Sequence, residues 1–123
     1  MERDQDRADG AQHLFAGDDR VRVLIGDWRL LEQHAPFDLF FCDGGGKRDD
    51  PEAVVELLAP GGILVLDDFS PSTSWPPTYQ GSVDELRMTY LTHPRLSATE
   101  VAVAADQAVV LATRNSVTAS LSR

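Results

Sequence analysis

The sequence predicts an α/β fold: a mostly parallel sheet with helices on both faces and an antiparallel hairpin at its C-terminal end. Three observations predict it. Strand-like and helix-like segments alternate along the chain, the pattern of a parallel sheet joined by helical crossovers. The runs Phe37 to Cys42 and Ile63 to Leu66 are apolar at nearly every position, as strands buried on both faces are. Two β-type runs, Ser97 to Ala104 and Ala108 to Thr113, are separated by Ala105-Asp106-Gln107 alone, which leaves room only for a hairpin.

The elements follow in order. Asp4 to Ala16 reads as a helix, with Ala8, Ala11 and Phe15 on one face and Gly17 as its stop. Val21 to Ile25 is a short β-branched run, ended by Gly26 and Asp27. Trp28 to His34 is weakly helical, with Leu30, Leu31 and His34 one turn apart and Pro36 closing it. After the strand Phe37 to Cys42 come Gly44 to Gly46 and a polar loop. Asp50 and Pro51 open a helix whose apolar face is Val54, Leu57 and Leu58. Pro60-Gly61-Gly62 stops it, and Ile63 to Leu66 is the next strand, with Asp67 and Asp68 at its carboxyl end. Ser70 to Gly81 reads as loop. Ser82 and Glu85 form a capping-box pattern for a helix reaching about His93. The expected domain spans 1–114, and 115–123 reads as a mobile polar tail.

Composition excludes several classes of function. The 123 residues carry a net charge of −9, which argues against nucleic acid or an acidic membrane as partner, since both need basic patches. No apolar stretch approaches the roughly 20 residues of a membrane span. The opening MERDQDRADG is too charged for a secretory signal, so a cytoplasmic location is expected. Cys42, the only cysteine, sits in an apolar run and reads as a buried, inert thiol. His13 and His93 read as surface residues.

In open α/β sheets, ligands bind beyond the carboxyl ends of the strands. Asp27, Asp43 and the pair Asp67-Asp68 fall at three successive strand ends. Such carboxylates accept hydrogen bonds from a sugar or nucleobase, or bind a hard cation through oxygen. Each acid alone has a plainer reading as a turn or helix-cap residue; the set together favours a site.

The stretch from VRVLIGDWRLL through APFDLFFCDGGGKRDDPEAVVELLAPGGILVLDDF resembles the middle of a class I, Rossmann-like S-adenosylmethionine-dependent methyltransferase. It is similar in particular to the small-molecule O-methyltransferases of the catechol and caffeoyl-coenzyme A type. The ending THPRLSATEVAVAADQAVVLATR is similar to that family's last helix and strand pair. The resemblance implies S-adenosylmethionine as cofactor and a small-molecule acceptor, methylated at a hydroxyl oxygen. It makes Glu2 the ribose acid, places Gly26-Asp27 by the adenine, and puts Asp43 at the methyl-transfer site. Trp28 would stack on the adenine or serve as a half-buried core residue. The metal-dependent branch implies Mg²⁺ on Asp43, Asp67 and Asp68 and a lysine base, which Lys47 would supply. Relatives that use no metal share the pattern, the acidic pair is Asp-Asp where the metal branch has Asp-Asn, and Lys47 lies one residue further along than that branch's lysine. A solvated loop lysine is therefore the alternative. Trp75 reads as a substrate wall or as an anchor pinning its loop.

The family's first strand and glycine-rich cofactor loop have no counterpart here, because only Met1 precedes Glu2. In the family's sheet the two strands affected lie between those ending in Asp27 and Asp43, and leaving them out opens a gap of roughly 14 Å. Either the flanking strands pair directly, or another polypeptide fills the space, or the protein is longer, the last being the expectation. This chain alone is then expected to be inactive or very weak. The competing reading is a non-catalytic, degenerate methyltransferase fragment or a dimerisation module, a homodimer formed through the open sheet edge.

Overall fold

The computed structural model describes residues 1–116, and the chain divides into two compact units, Met1–His34 and Ala35–Arg123. The rest of the polar tail lies outside the described residues.

In the first unit the Asp4 carboxylate accepts from the Arg7 amide at 3.0 Å and caps α1 (Gln5–Leu14). The capping satisfies one of the amides that open a helix unpaired. Only Ala8 of this helix is buried, so the expected apolar face is not used beyond one residue. Val21 to Ile25 does not form the expected strand. Among the described residues it makes a single isolated parallel bridge, Glu2 to Ile25. The Glu2 amide donates to Leu24 and the Gly26 amide to Glu2, at 2.9 and 3.0 Å. Trp28–His34 is a 3-10 helix, a form the chain adopts in short runs.

In the second unit, the described residues form one sheet of β1 (Phe37–Cys42), β2 (Leu58–Phe69), β5 (Leu96–Ala104) and β6 (Gln107–Arg114), in the order β1-β2-β6-β5. β1 and β2 are parallel, and β6 is antiparallel to both β2 and β5. Three strands therefore run one way and β6 alone is reversed. The hairpin is as expected, but its second strand is inserted beside β2, leaving β5 at the edge. β6 alternates strictly, and its buried residues Ala108, Val110 and Ala112 supply the middle of the core.

β2 starts at Leu58, earlier than the sequence implies. Pro60-Gly61-Gly62 does not stop the chain but forms an irregularity in the pairing, where Phe37 faces Leu58 and Leu39 already faces Ile63. A side chain at Gly62 would stand 2.8 Å from the carbonyl oxygens of Ala59 and Phe37, so only glycine fits this bulge.

The helices α2 (Gly46–Asp49), α3 (Pro51–Glu56) and α4 (Glu85–Leu91) lie on one face and touch each other. The buried Tyr90 hydroxyl donates to the Lys47 carbonyl at 2.8 Å. His93, expected on the surface, is buried, and its Nε2 lies 2.6 Å from Glu52 Oε1. Bonds from His93 and Arg95 hold the Glu52 carboxyl below the usual range. None of these three helices covers the other face, where Leu39 and Phe41 are 64% and 59% exposed, and Ile63 and Leu111 about 40%. Apolar strand sequence states what a strand would bury, not what covers it.

Two loops also differ from expectation. Gly46–Asp49 is a helical turn. The stretch read as loop contains a small hairpin, β3 (Thr78–Tyr79) with β4 (Ser82–Val83), turning through Gln80 and Gly81, both at positive φ. Ser82 is thereby used in the hairpin. Asp84 caps α4 instead, its carboxylate accepting from the Arg87 amide at 3.1 Å. Asn115, assigned to the tail, is tied down: its amide donates to Arg95 at 2.9 Å. No helix among the described residues is long and apolar enough to cross a membrane.

Candidate functional site

The parallel register pairs Cys42 with Leu66. Asp43 therefore leaves β1 beside the level of Asp67, but β2 runs on through Phe69, so the acidic pair, expected beyond the strand, lies within its last residues, where the pairing with β6 is irregular. Asp43 is exposed and Asp67 half-buried. Asp68 is exposed and takes φ +72°, a left-handed conformation that costs a residue with a side chain about 1–2 kcal/mol. Such strain persists only where the surroundings over-determine it.

Here the surroundings are two buried cations. Lys47 is 2% exposed, and its Nζ donates to the Asp67 carbonyl at 2.6 Å. The same ammonium stands 4.6 Å from the centre of the Phe69 ring, and the Arg87 guanidinium 5.1 Å from it. The backbone on either side of Asp68 is thus fixed, by Lys47 at Asp67 and by the packed Phe69 ring. The reading of Lys47 as a solvated loop residue is overturned. Burial pushes its pKa down, helped by Arg48, while Asp68, Cys42 and Asp43 pull it back up. Both acids are therefore within electrostatic reach of the amine. Cys42 is buried as expected, and burial pushes its thiol pKa up.

Asp68 opens on a cavity of about 270 Å³ whose walls include Arg48, Phe69, Tyr79, Arg87 and Gln107. Arg87 is wholly buried. Its Nε donates to Asp84 at 3.0 Å, and its Nη1 to the Ser70 carbonyl and Glu100 at 2.7 and 2.6 Å. Its Nη2 is buried without a hydrogen-bond partner among the described residues. Sequence reasoning missed Arg87, Arg48 and Gln107. An arginine on a short helix gives no sign of burial, and the only available signal was Asp84 three residues before it.

The expected metal set is not gathered. Among the described residues, no group of three or more His, Cys, Asp or Glu side chains is placed to hold a metal ion, so Asp43, Asp67 and Asp68 do not form a ready-made oxygen cage. Asp68 lines the cavity, whereas Asp43, Lys47 and Asp67 do not. Trp75 is elsewhere: it is 69% exposed and lines a second cavity that shares no residue with the first. Trp75 thus stands apart from the Asp68 cavity, with most of its indole exposed.

In the first unit, the Glu2–Ile25 bridge sets Glu2 beside the Gly26-Asp27 end of a parallel neighbour. Glu2 Oε1 accepts from the Asp4 amide at 2.9 Å and Asp27 Oδ1 from the Arg29 amide at 3.0 Å, so each carboxylate keeps further lone pairs for a ligand. Gly26 sits at φ +140°, a backbone conformation that residues with side chains rarely adopt, and a Cβ there would meet Leu30 Cδ1 at 2.6 Å. Trp28 is half-buried with the Arg29 guanidinium 4.6 Å from its ring.

Among solved structures, the chain is similar to cofactor-bound Rv0187 from MTB, at 21% identity and a TM-score of 0.65. The two share a fold. The likeness covers 92% of this chain and 59% of that one. No family model matches the chain, and no curated protein does.

Proposed function

We propose that this chain carries part of an S-adenosylmethionine-dependent methyltransferase acting on a hydroxyl oxygen of a small molecule. The observation that carries the reading is the parallel bridge that seats Glu2 beside Gly26-Asp27. Two acids on neighbouring parallel ends suit a nucleoside, whose ribose hydroxyls and adenine amine are donors in need of acceptors. Glu2 would hold the ribose and Asp27 the adenine end, with Trp28 against the base. A cofactor-bound neighbour of the same fold supports the reading.

When bound, S-adenosylmethionine supplies an electrophilic methyl group. The chain's own part is to hold the acceptor and its proton. Asp68, fixed at the mouth of its cavity, accepts the acceptor's hydroxyl hydrogen. Asp43, at the end of β1 and outside that cavity, adds negative charge at the same end of the sheet. Lys47 positions this end through the Asp67 carbonyl. No step is assigned to a metal, because the acids are not gathered for one.

Titration calorimetry with S-adenosylhomocysteine tests the proposal. Binding in the micromolar range is expected, and Glu2→Gln or Asp27→Asn each weakens it about tenfold or more, as loss of a charge-assisted hydrogen bond does. A second reading, a non-catalytic module that pairs with another copy, is favoured by the open β1 edge and the bare Leu39, Phe41 and Ile63 beside it. A chain that self-associates and leaves the nucleoside unbound follows this second reading.

A further inference from the structure

The cavity beside Trp75 has a volume of about 310 Å³, and its walls include Ser72, Ser74, Leu91, Thr99 and Glu100. An indole 69% exposed on a loop contributes little to folding, and large aromatics of this kind are enriched where a protein meets a ligand. Glu100 is the one charged side chain in these walls. Behind it lies an unbalanced cluster. The Arg87 guanidinium pairs with both Glu100, at 2.6 Å, and Asp84, at 3.0 Å, leaving one negative charge over. Arg87 itself is wholly buried, whereas the Glu100 side chain is 20% exposed. The cavity therefore meets the carboxylate and not its counter-ion. The remaining polar wall groups are hydroxyls, with Ser72 and Ser74 oxygens 3.4 Å apart.

We propose that this cavity binds a small organic cation, a protonated amine or a quaternary ammonium, held against Trp75 with Glu100 as its counter-charge. An indole face attracts a cation through its quadrupole, and the Glu100 carboxylate, whose oxygens accept from Arg87 Nη1 at 2.6 Å and from the Ser72 amide at 3.3 Å, brings the net negative charge of its cluster to the cavity wall. Anions are excluded by the same charge and by the chain's net −9. Hydroxyls accept the N–H bonds of a protonated amine. The site stands apart from the Asp68 cavity and does not depend on methyl transfer.

The test is titration of the full chain with benzylammonium, benzyl alcohol and benzoate, followed by the Trp75 indole N–H resonance and by calorimetry. Benzylammonium is expected to bind saturably, benzyl alcohol about tenfold more weakly, and benzoate not at all. Trp75→Ala, on an exposed loop, abolishes the calorimetric signal. Glu100→Gln weakens ammonium binding about tenfold and leaves alcohol binding unchanged. Should loss of the Arg87 partner unfold Glu100→Gln, the ammonium-to-alcohol ratio and Trp75→Ala decide alone. No saturable binding, equal affinity for ammonium and alcohol, or unchanged binding in Trp75→Ala overturns the proposal.

Discussion

Arg87→Met lowers the stability of the Ala35–Arg123 unit by about 3–5 kcal/mol in urea unfolding, the cost of breaking a buried ion pair from one side. The side chain is wholly buried and spans three separate pieces of chain: Asp84 at the start of α4, Ser70 after β2, and Glu100 on β5. Methionine fills the volume but leaves Asp84 and Glu100, 13% and 20% exposed, facing each other without a cation. Such carboxylates are poorly solvated where they stand and repel. A triple variant, Arg87→Met with Asp84→Asn and Glu100→Gln, recovers part of the loss, because it removes the unpaired charges along with the pair. A loss under about 1 kcal/mol for Arg87→Met alone would mean that the three contacts behave as surface contacts do.

Lys47→Met costs about 2 kcal/mol, since the Asp67 carbonyl loses its donor and Phe69 its cation. The effect has a definite pH dependence. Burial lowers the Lys47 pKa below the ordinary 10.5, so the folded chain binds this proton less tightly than the unfolded chain. Between the lowered value and 10.5 the unfolded state holds more protons, and stability therefore rises with pH across that window. Below it the penalty of the buried charge is present in full. Methionine has no such penalty at any pH. The stability gap between the two proteins consequently widens as pH rises toward 10.5, measured as the difference in urea midpoints. Tyr90, whose hydroxyl pKa burial pushes well above the tyrosine range, titrates in both proteins and cancels in the difference. A gap that narrows with rising pH would contradict the burial of a charged Lys47.

Much of the second unit was legible, for reasons that particular residues show. FDLFFC and ILVL carry enough apolar side chains to name β1 and the centre of β2, and Ala105-Asp106 leaves the last two strands no connection but a hairpin. The placement of β6 between β2 and β5 was not legible, because alternation states which side a strand buries and not which neighbour it chooses. Asp84 and Ser82 are both good caps two residues apart, and the contest was decided by Ser82 pairing with Tyr79 in the small hairpin. Val21 to Ile25 has strand composition, yet a ladder needs a partner over its length, and composition carries no partner.

The strand-end acids were found from order alone, and Asp43, Asp67 and Asp68 do stand at one end of β1 and β2. What holds Asp68 was hidden. A glycine-rich loop with one lysine looks solvated, and nothing local shows that Lys47 turns inward to a carbonyl twenty residues on. Arg87 was invisible for the same reason: its partners are spread over Ser70, Asp84 and Glu100. Trp75 reads from the sequence as a substrate wall or a loop anchor, and its separation from the Asp68 cavity depends on the turn taken after β2.

The central claim is that Glu2 and Asp27 face a nucleoside. An amide-resolved NMR titration with S-adenosylhomocysteine tests it most directly, since it reports where binding occurs as well as whether. The account predicts saturable shifts concentrated at Glu2, Gly26, Asp27 and Trp28, reached at about tenfold higher ligand concentration in the Asp27→Asn variant. Absence of shifts, or shifts confined to other parts of the chain, would contradict it.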